Sequence, residues 1–289
     1  KIISAKIIFL KANFINRYLF YRKNKHNFEK VFCFGNIPPP IKLKSISYTY
    51  FHQKLFLSIP SNLPIKKNIL LSIKSYIAKF LSKNTDYWIV QTNIMRQEFL
   101  NKFDNNEIEK VLICPFYPPL INDSKLIIKR KKSIFLYVST YNAHKNYENL
   151  LDGFKIFYER CNVGELHLTL DENSGVILDK IDVMKSKGYP IFNHGFVERK
   201  QLSILYKASE FVIYPSFSES FGIGIIEGIE NGCKIIGSDL EYLKSVCNPS
   251  LTFNPNSPFS IADAFQKSVK TEIKKTKQLV FNEIKQLIN

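Results

Sequence analysis

The sequence predicts an α/β protein with parallel sheets, on three observations. Short apolar runs alternate with amphipathic stretches, most regularly after residue 132. One of these runs, Phe211 to Tyr214, stops at Pro215. A polar loop with Glu219 and Gly222 follows, and then an apolar, Gly-containing stretch that carries Glu227. A strand that ends in a loop and opens a helix puts backbone N–H groups and a positive dipole end at the carboxyl edge of a sheet, where α/β proteins hold phosphates and nucleotides. Two carboxylates with seven residues between them add hydroxyl-binding capacity beside that anion site. A nucleotide-sugar, with one diphosphate and many hydroxyls, fits both halves.

The elements read in order as follows. In the first half, 13–23 is expected as a helix, 31–34 and 46–51 as strands, 68–82 as a helix, 87–91 as a strand, 93–103 as a helix and 111–114 as a strand. In the second half, 133–139 is a buried strand. The stretch 146–160 is an amphipathic helix with Leu150, Leu151, Phe154 and Phe157 at helical spacing. Strands at 166–170, 191–194, 211–214, 234–238 and 251–253 alternate with helices at 175–187, 198–209, 222–231, 241–247 and 260–270. Such alternation means parallel sheets with helices on both faces. The expected division is an incomplete N-terminal Rossmann-like domain over 1–120, a second Rossmann-like domain over 121–270, and a basic C-terminal helix over 271–289. Prolines 115, 118 and 119 and the run Lys129-Arg130-Lys131-Lys132 suit an exposed linker.

Composition narrows the classes. The chain has 289 residues, is 45% hydrophobic and carries a formal charge of +16, so it can pack a core and is not a disordered segment. The charge sits at one end: residues 1–85 hold 16 Lys and Arg against one acid, Glu29. A one-sided basic half points to an anionic partner, with an anionic membrane surface ahead of compositional bias. Nucleic acid is not expected, because no RNP-like, zinc or helix-turn-helix pattern is present. Five scattered cysteines with no CxxC pair read as reduced thiols in a cytoplasmic protein. No apolar run is long enough for a transmembrane helix, and the basic, broken N-terminus does not read as a signal peptide. No Asp-x-Asp pair closes a strand, so neither a catalytic metal nor a cofactor is expected.

The ordered set Pro215-Ser216, Glu219-Ser220-Phe221-Gly222, Glu227 and Asn231-Gly232-Cys233-Lys234-Ile235-Ile236-Gly237-Ser238-Asp239 resembles the donor-binding core of glycosyltransferase family 4, the retaining GT-B enzymes. The likeness extends over most of 86–270, including Asp86 to Thr92 and Tyr137 to Asn146. It implies transfer of a sugar from a nucleotide-sugar co-substrate, with two Rossmann-like domains and a donor held mainly by the second.

By that resemblance Glu219 contacts hydroxyls of the donor sugar near the reacting carbon, and Phe221, Gly222 and Ile223 present backbone N–H groups to the donor. Glu227 meets the ribose hydroxyls, and Lys145 pairs with the diphosphate. His52, at the end of an N-domain strand, serves the sugar. The bland alternatives are a helix cap for Glu219, a solvent-facing or ion-paired helical acid for Glu227, a solvated Lys145 and a structural His52. Ser139-Thr140 stands in the donor site where the family often has Gly-Arg, so one expected cation is absent, with His144 or Arg199 as substitutes.

The resemblance further implies a lipid-linked or oligosaccharide acceptor, cell-surface polysaccharide synthesis, and a peripheral place on the inner face of the plasma membrane. The chain does not open with Met and lacks the family's Gly-rich first loop, so about 70–90 residues are expected to be missing from its first domain. A truncated, non-catalytic binding subunit and a GT-B sugar-nucleotide epimerase are the competing readings.

Overall fold

The computed structural model describes residues 7–11, 13–58, 65–103, 108–120, 128–283 and 285. The chain divides into two compact units, Lys1–Pro115 and Phe116–Asn289.

Unit 1 runs α1 (Phe14–Asn24), β1 (Lys30–Cys33), β2 (Ile46–Tyr50), α2 (Ile65–Phe80), β3 (Tyr87–Val90), α3 (Asn93–Phe103) and β4 (Val111–Ile113). The four strands form one parallel sheet in chain order, β1-β2-β3-β4. Its core is aromatic. Phe99 packs 5.0 Å from Phe51, 4.8 Å from Trp88 and 4.4 Å from Phe103, centroid to centroid. α1 begins at a side-chain cap, Asn13 Oδ1 accepting from the Asn16 N–H at 2.8 Å. Asp86 ties β2 to the start of β3, accepting from the Ser47 N–H and hydroxyl at 2.8 and 2.9 Å.

Unit 2 holds β5 (Ile134–Tyr137), α4 (Tyr147–Cys161), β6 (Glu165–Leu168), α5 (Val176–Ser186), β7 (Ile191–Asn193), α6 (Arg199–Ala208) and β8 (Phe211–Tyr214). It continues through α7 (Ile223–Glu230), β9 (Lys234–Ser238), α8 (Glu241–Val246), β10 (Cys247–Asn248), β11 (Leu251–Phe253), α9 (Pro258–Lys270) and β12 (Lys277–Gln278). Six strands make a parallel sheet ordered β11-β9-β8-β5-β6-β7. The strands of β5 and β8 are buried end to end, which explains why their sequences, Ile-Phe-Leu-Tyr and Phe-Val-Ile-Tyr, are continuously apolar. The chain builds outward from β5 through β6 to β7, returns to the middle, and builds the other way from β8. Every site residue expected in this unit follows β5 or β8.

Two expectations are corrected. Residues 271–283 are extended rather than helical, with β12 pairing antiparallel to β10. Tertiary bonds override local helix propensity there. The Thr276 hydroxyl accepts from the Ile235 N–H at 2.7 Å, Ile273 is buried, and Gln278 Nε2 donates to the Tyr117 hydroxyl at 3.3 Å. Residues 284 and 286–289 of the expected helix lie outside the described residues. The linker is also less exposed than its composition suggests. Tyr117 and Leu120 are buried in the unit 2 core, and the Arg130 guanidinium donates to the carbonyls of Asn231 and Gly232 where α7 ends. A cation at a helix C-terminus is stabilised by the dipole. Residues 121–127 lie outside the described residues.

α9 lies on α4 through an aromatic cluster. The fully buried Phe265 ring sits 4.5 Å from Phe135 and 5.3 Å from Phe157. Phe265→Ala removes the centre of this cluster and should destabilise unit 2 by about 3–5 kcal/mol. Thermal or urea unfolding checks this, and a loss below about 1 kcal/mol would contradict the packing described.

Candidate functional site

An α/β sheet opens a crevice where its strand order reverses, because the connections leaving two neighbouring strands run to opposite sides. In unit 2 that point lies between β5 and β8. The loops leaving their carboxyl ends are stitched together. Asn146, held at φ +58°, donates from Nδ2 to the Pro215 carbonyl at 3.0 Å and the Pro255 carbonyl at 2.8 Å. The Phe217 N–H donates to the His144 carbonyl at 2.8 Å. Beneath them the buried Tyr137 hydroxyl lies 2.9 Å from Ser216 Oγ and donates to the Lys145 carbonyl at 3.1 Å. Burial, and behind it the neighbouring Tyr147 and Glu219, push the Tyr137 phenol well up, so it stays a neutral hydrogen-bonding group.

This stitching brings Lys145 and Glu219 together. Lys145 Nζ donates to Glu219 Oε1 at 2.7 Å, both side chains being largely buried. Glu219 therefore has a cation partner rather than serving as a cap. Gly222 is the N-cap of α7 and adopts φ +76°, a left-handed conformation that a Cβ would strain and that would also press on Ile225. Gly222 supplies no side-chain cap; its carbonyl accepts from the Ile225 N–H at 2.9 Å, and the helix start ahead of Ile225 carries no side-chain cap. Phe221 is buried against Tyr117, and Ile223 is partly exposed at the first position of the helix.

α7 then carries Glu227 inward. The helix lies close on β8: a Cβ on Gly228 would meet Val212 Cγ2 at 2.8 Å. Glu227 is buried, with Oε2 accepting from the Tyr206 hydroxyl at 3.1 Å and Oε1 2.8 Å from Arg199 Nη1. The Arg199 contact is one of charge; among the described residues Oε1 accepts no well-directed hydrogen bond. Burial raises the Glu227 pKa, while the Arg199 charge and the Tyr206 bond pull it back. Arg199 is the first residue of α6, where the dipole disfavours a cation, and Glu227 offsets that cost. Arg199 also donates to the Pro118 carbonyl.

Ser139 and Thr140 follow β5 at the same edge. Ser139 donates its N–H to Thr169 Oγ1 at 3.2 Å and its hydroxyl to the Thr140 carbonyl at 3.1 Å, and its own carbonyl takes the Tyr147 hydroxyl at 2.8 Å. Thr140 is exposed. The structure thus gathers Lys145, Glu219, Gly222 and Glu227 around one strand-order reversal, with Ser139 and Thr140 beside them.

His52 belongs to unit 1, just past β2. Asn36, at φ +61°, accepts the N–H groups of His52 and Gln53 at 2.7 and 3.0 Å, and its Nδ2 lies 3.4 Å from His52 Nε2. Desolvation lowers the His52 pKa, so the ring is neutral at pH 7. Asn36 and Tyr206 are the residues that sequence reasoning missed. Tyr206 carried a weak signal, a phenol on the apolar face of a helix, and Asn36 carried none beyond its neighbouring Gly35 and prolines.

A family model described as glycosyl transferases group 1 matches residues 121–286. The chain belongs to this family. Among curated proteins, group 1 relatives include an O-antigen chain mannosyltransferase, RfbU, of Salmonella typhimurium. It is 29% identical over 161 residues, which cover 55% of this chain and 43% of the relative. O-antigen chain mannosyltransferase B of Escherichia coli is 26% identical over 142 residues, 47% of this chain and 37% of the relative. The chain thus matches less than half the length of each. Among solved structures, a TarM mutant of S. aureus in complex with fondaparinux, alpha-GlcNAc-glycerol and UDP aligns with TM-score 0.62 at 16% identity, covering 78% of this chain and 44% of that one. Sucrose-phosphate synthase from Thermosynechococcus elongatus aligns with TM-score 0.58 at 19% identity, over 77% and 58%. These likenesses establish the GT-B fold class for the group 1 chain.

The Arg199–Glu227 pair yields a pH prediction. Removing the cation in Arg199→Ala takes away what lowers the Glu227 pKa, so that pKa rises further. The ionised acid is then present only at higher pH. The Glu227 carboxyl, followed by NMR between about pH 5 and 8, should titrate at higher pH in Arg199→Ala, and its signal should be absent in Glu227→Gln. Because Arg199 is 39% exposed, its loss should cost about 2–3 kcal/mol of stability, below the figure for a fully buried pair.

Proposed function

We propose that this chain transfers a sugar from a nucleotide-diphosphate donor to an acceptor hydroxyl, with retention at the anomeric carbon. One observation carries the reading. At the strand-order reversal of unit 2, an uncapped helix start at Gly222 lies between two acid–cation pairs, Lys145–Glu219 and Arg199–Glu227. The helix start suits a pyrophosphate. Glu219 suits sugar hydroxyls, and Glu227, held by Arg199 and Tyr206 at the same edge, suits a ribose hydroxyl.

In this mechanism the donor diphosphate lies over the first turn of α7. Its charge draws Lys145, which then stabilises the leaving nucleotide as the C1–O bond breaks and the electron pair moves onto the phosphate oxygen. The acceptor oxygen forms its bond to C1 on the same face, and the departing phosphate takes the acceptor proton. No protein base and no metal is called for. His52 keeps the catalytic part that the family resemblance gives it, and Ser139 and Thr140 line the donor side with polar groups. Arg199 supplies the second cation that Ser139-Thr140 does not.

The acceptor is a lipid-linked or oligosaccharide chain of a cell-surface polysaccharide, in keeping with the O-antigen relatives. The basic first half favours peripheral residence on the cytoplasmic membrane face. Among the described residues no helix is long and apolar enough to cross a membrane. The polar Ser139-Thr140 pair also fits a second reading, a subunit that binds nucleotide-sugar without turning it over.

A thermal-shift panel of UDP-, GDP-, ADP- and TDP-sugars on the full chain should show stabilisation by one nucleotide class, and no response to any would sink the reading. With that donor, Glu219→Gln and Lys145→Ala should each lower kcat/KM by about 10²–10³-fold with the fold intact. Binding without turnover would favour the second reading. Turnover should persist in EDTA.

A further inference from the structure

α2 is a helix turned inside out. Along its 16 residues, Ile65, Ile69, Ile73, Tyr76 and Phe80 recur at spacings of four, four, three and four, one stripe on one face. In an ordinary surface helix this stripe would face the core. Here it faces outward: Ile65 is 77% exposed, Tyr76 71% and Phe80 60%. The inward positions are Leu71, Ser75 and Ala78, two of them small, and Ser75 anchors the helix by donating to the Phe56 carbonyl at 2.8 Å. Small inward residues let the helix lie close on unit 1, and the large apolar residues are left on the surface.

The charges around the stripe are of one sign. α2 contains no acid. Lys66 stands on one flank and Lys79 on the other, and Lys83 just beyond the helix sits 5.1 Å over the Phe80 ring. The neighbouring α1 buries none of its residues and exposes Phe14, Ile15 and Leu19 alongside Arg22 and Lys23. A groove of about 560 Å³ lined by Phe14, Arg17, Phe20, Lys74 and Ile77 joins the two helices into one surface.

We propose that the outward face of α2, extended by α1, is a docking surface for an anionic lipid bilayer. The helix lies in the interface plane. The Ile65–Phe80 stripe enters the boundary between headgroups and acyl chains, and Lys66 and Lys83 meet lipid phosphates. A helix of this length presents a stripe of about 24 Å, long for a point contact and suited to a plane. Charge decides between occupants. A second copy would bring another basic face, with 16 cations against one acid in residues 1–85, and would be repelled. A bilayer rich in acidic headgroups complements both the apolar stripe and its basic flanks. Bilayer docking deepens the membrane residence given under the proposed function, while the stripe and its charges stand apart from the proposed reaction.

The test is sedimentation of the full chain with vesicles of phosphatidylcholine alone and of phosphatidylcholine with about one-third phosphatidylglycerol. Wild type should bind the anionic vesicles roughly tenfold more strongly, and added salt should weaken that binding. Ile69→Ser/Ile73→Ser and Lys66→Glu/Lys83→Glu should each abolish the preference while keeping the wild-type thermal midpoint. In a Tyr76→Trp variant the emission should shift to the blue on anionic vesicles. Equal binding to both vesicle types, binding untouched by the variants, or a dimer seen by light scattering that Ile69→Ser/Ile73→Ser dissociates would overturn the proposal, the last by showing a second copy on this face. Nucleotide-sugar binding, measured on the same samples, separates the two claims. Vesicle binding without nucleotide binding removes the proposed reaction and leaves the surface. Nucleotide binding without vesicle binding does the reverse.

Discussion

The reversal of strand order between β5 and β8 is the constraint on which the site depends. Neighbouring parallel strands normally send their connections the same way, and the helices close ranks over the sheet edge. Where the order turns, one connection goes left and the next goes right, and a crevice opens at the carboxyl ends. The loop after β5 brings Lys145 to that crevice, and the loop after β8 brings Glu219 and Gly222. Asn146 and Tyr137 hold the two loops in register with bonds to Pro215 and Ser216. The placement is therefore set by topology and buried polar contacts rather than by the loops themselves.

Charge balance follows from that geometry. A buried carboxylate with no partner costs several kcal/mol. Unit 2 places two carboxylates at one crevice and gives each its own cation, Lys145 for Glu219 and Arg199 for Glu227. Each cation offsets part of the cost of burying its acid beside the start of α7. Tyr206 fills one oxygen of Glu227, and Arg199 faces the other at 2.8 Å. Stability and binding capacity thus draw on the same groups.

In unit 1 the relation between pattern and burial is reversed. The periodicity of 65–80 announces a helix whichever way it faces, and helical spacing alone assigns the large apolar stripe to the core. The structure turns Leu71, Ser75 and Ala78 inward instead, with the Ser75 hydroxyl donating to the Phe56 carbonyl. A hydrophobic stripe tells where an apolar surface is, and only its neighbours tell what covers it. The C-terminal segment teaches the same lesson. Its lysines suit a helix, yet Thr276 and Gln278 find tertiary partners and the chain stays extended.

The sequence by itself determined the alternation of strands and helices, the buried character of β5 and β8, and the strand-loop-helix unit that carries Glu219, Gly222 and Glu227. These are short-range properties. Side-chain periodicity, a positive-φ glycine and a helix start are all decided within a few residues, so they can be read from a line of letters. The tertiary structure alone decided the strand order, the meeting of Lys145 with Glu219 across 74 residues of chain, the choice of Arg199 as the partner of Glu227, and the outward face of α2. Each of these depends on which elements become neighbours, and that is settled by burying the whole core at once.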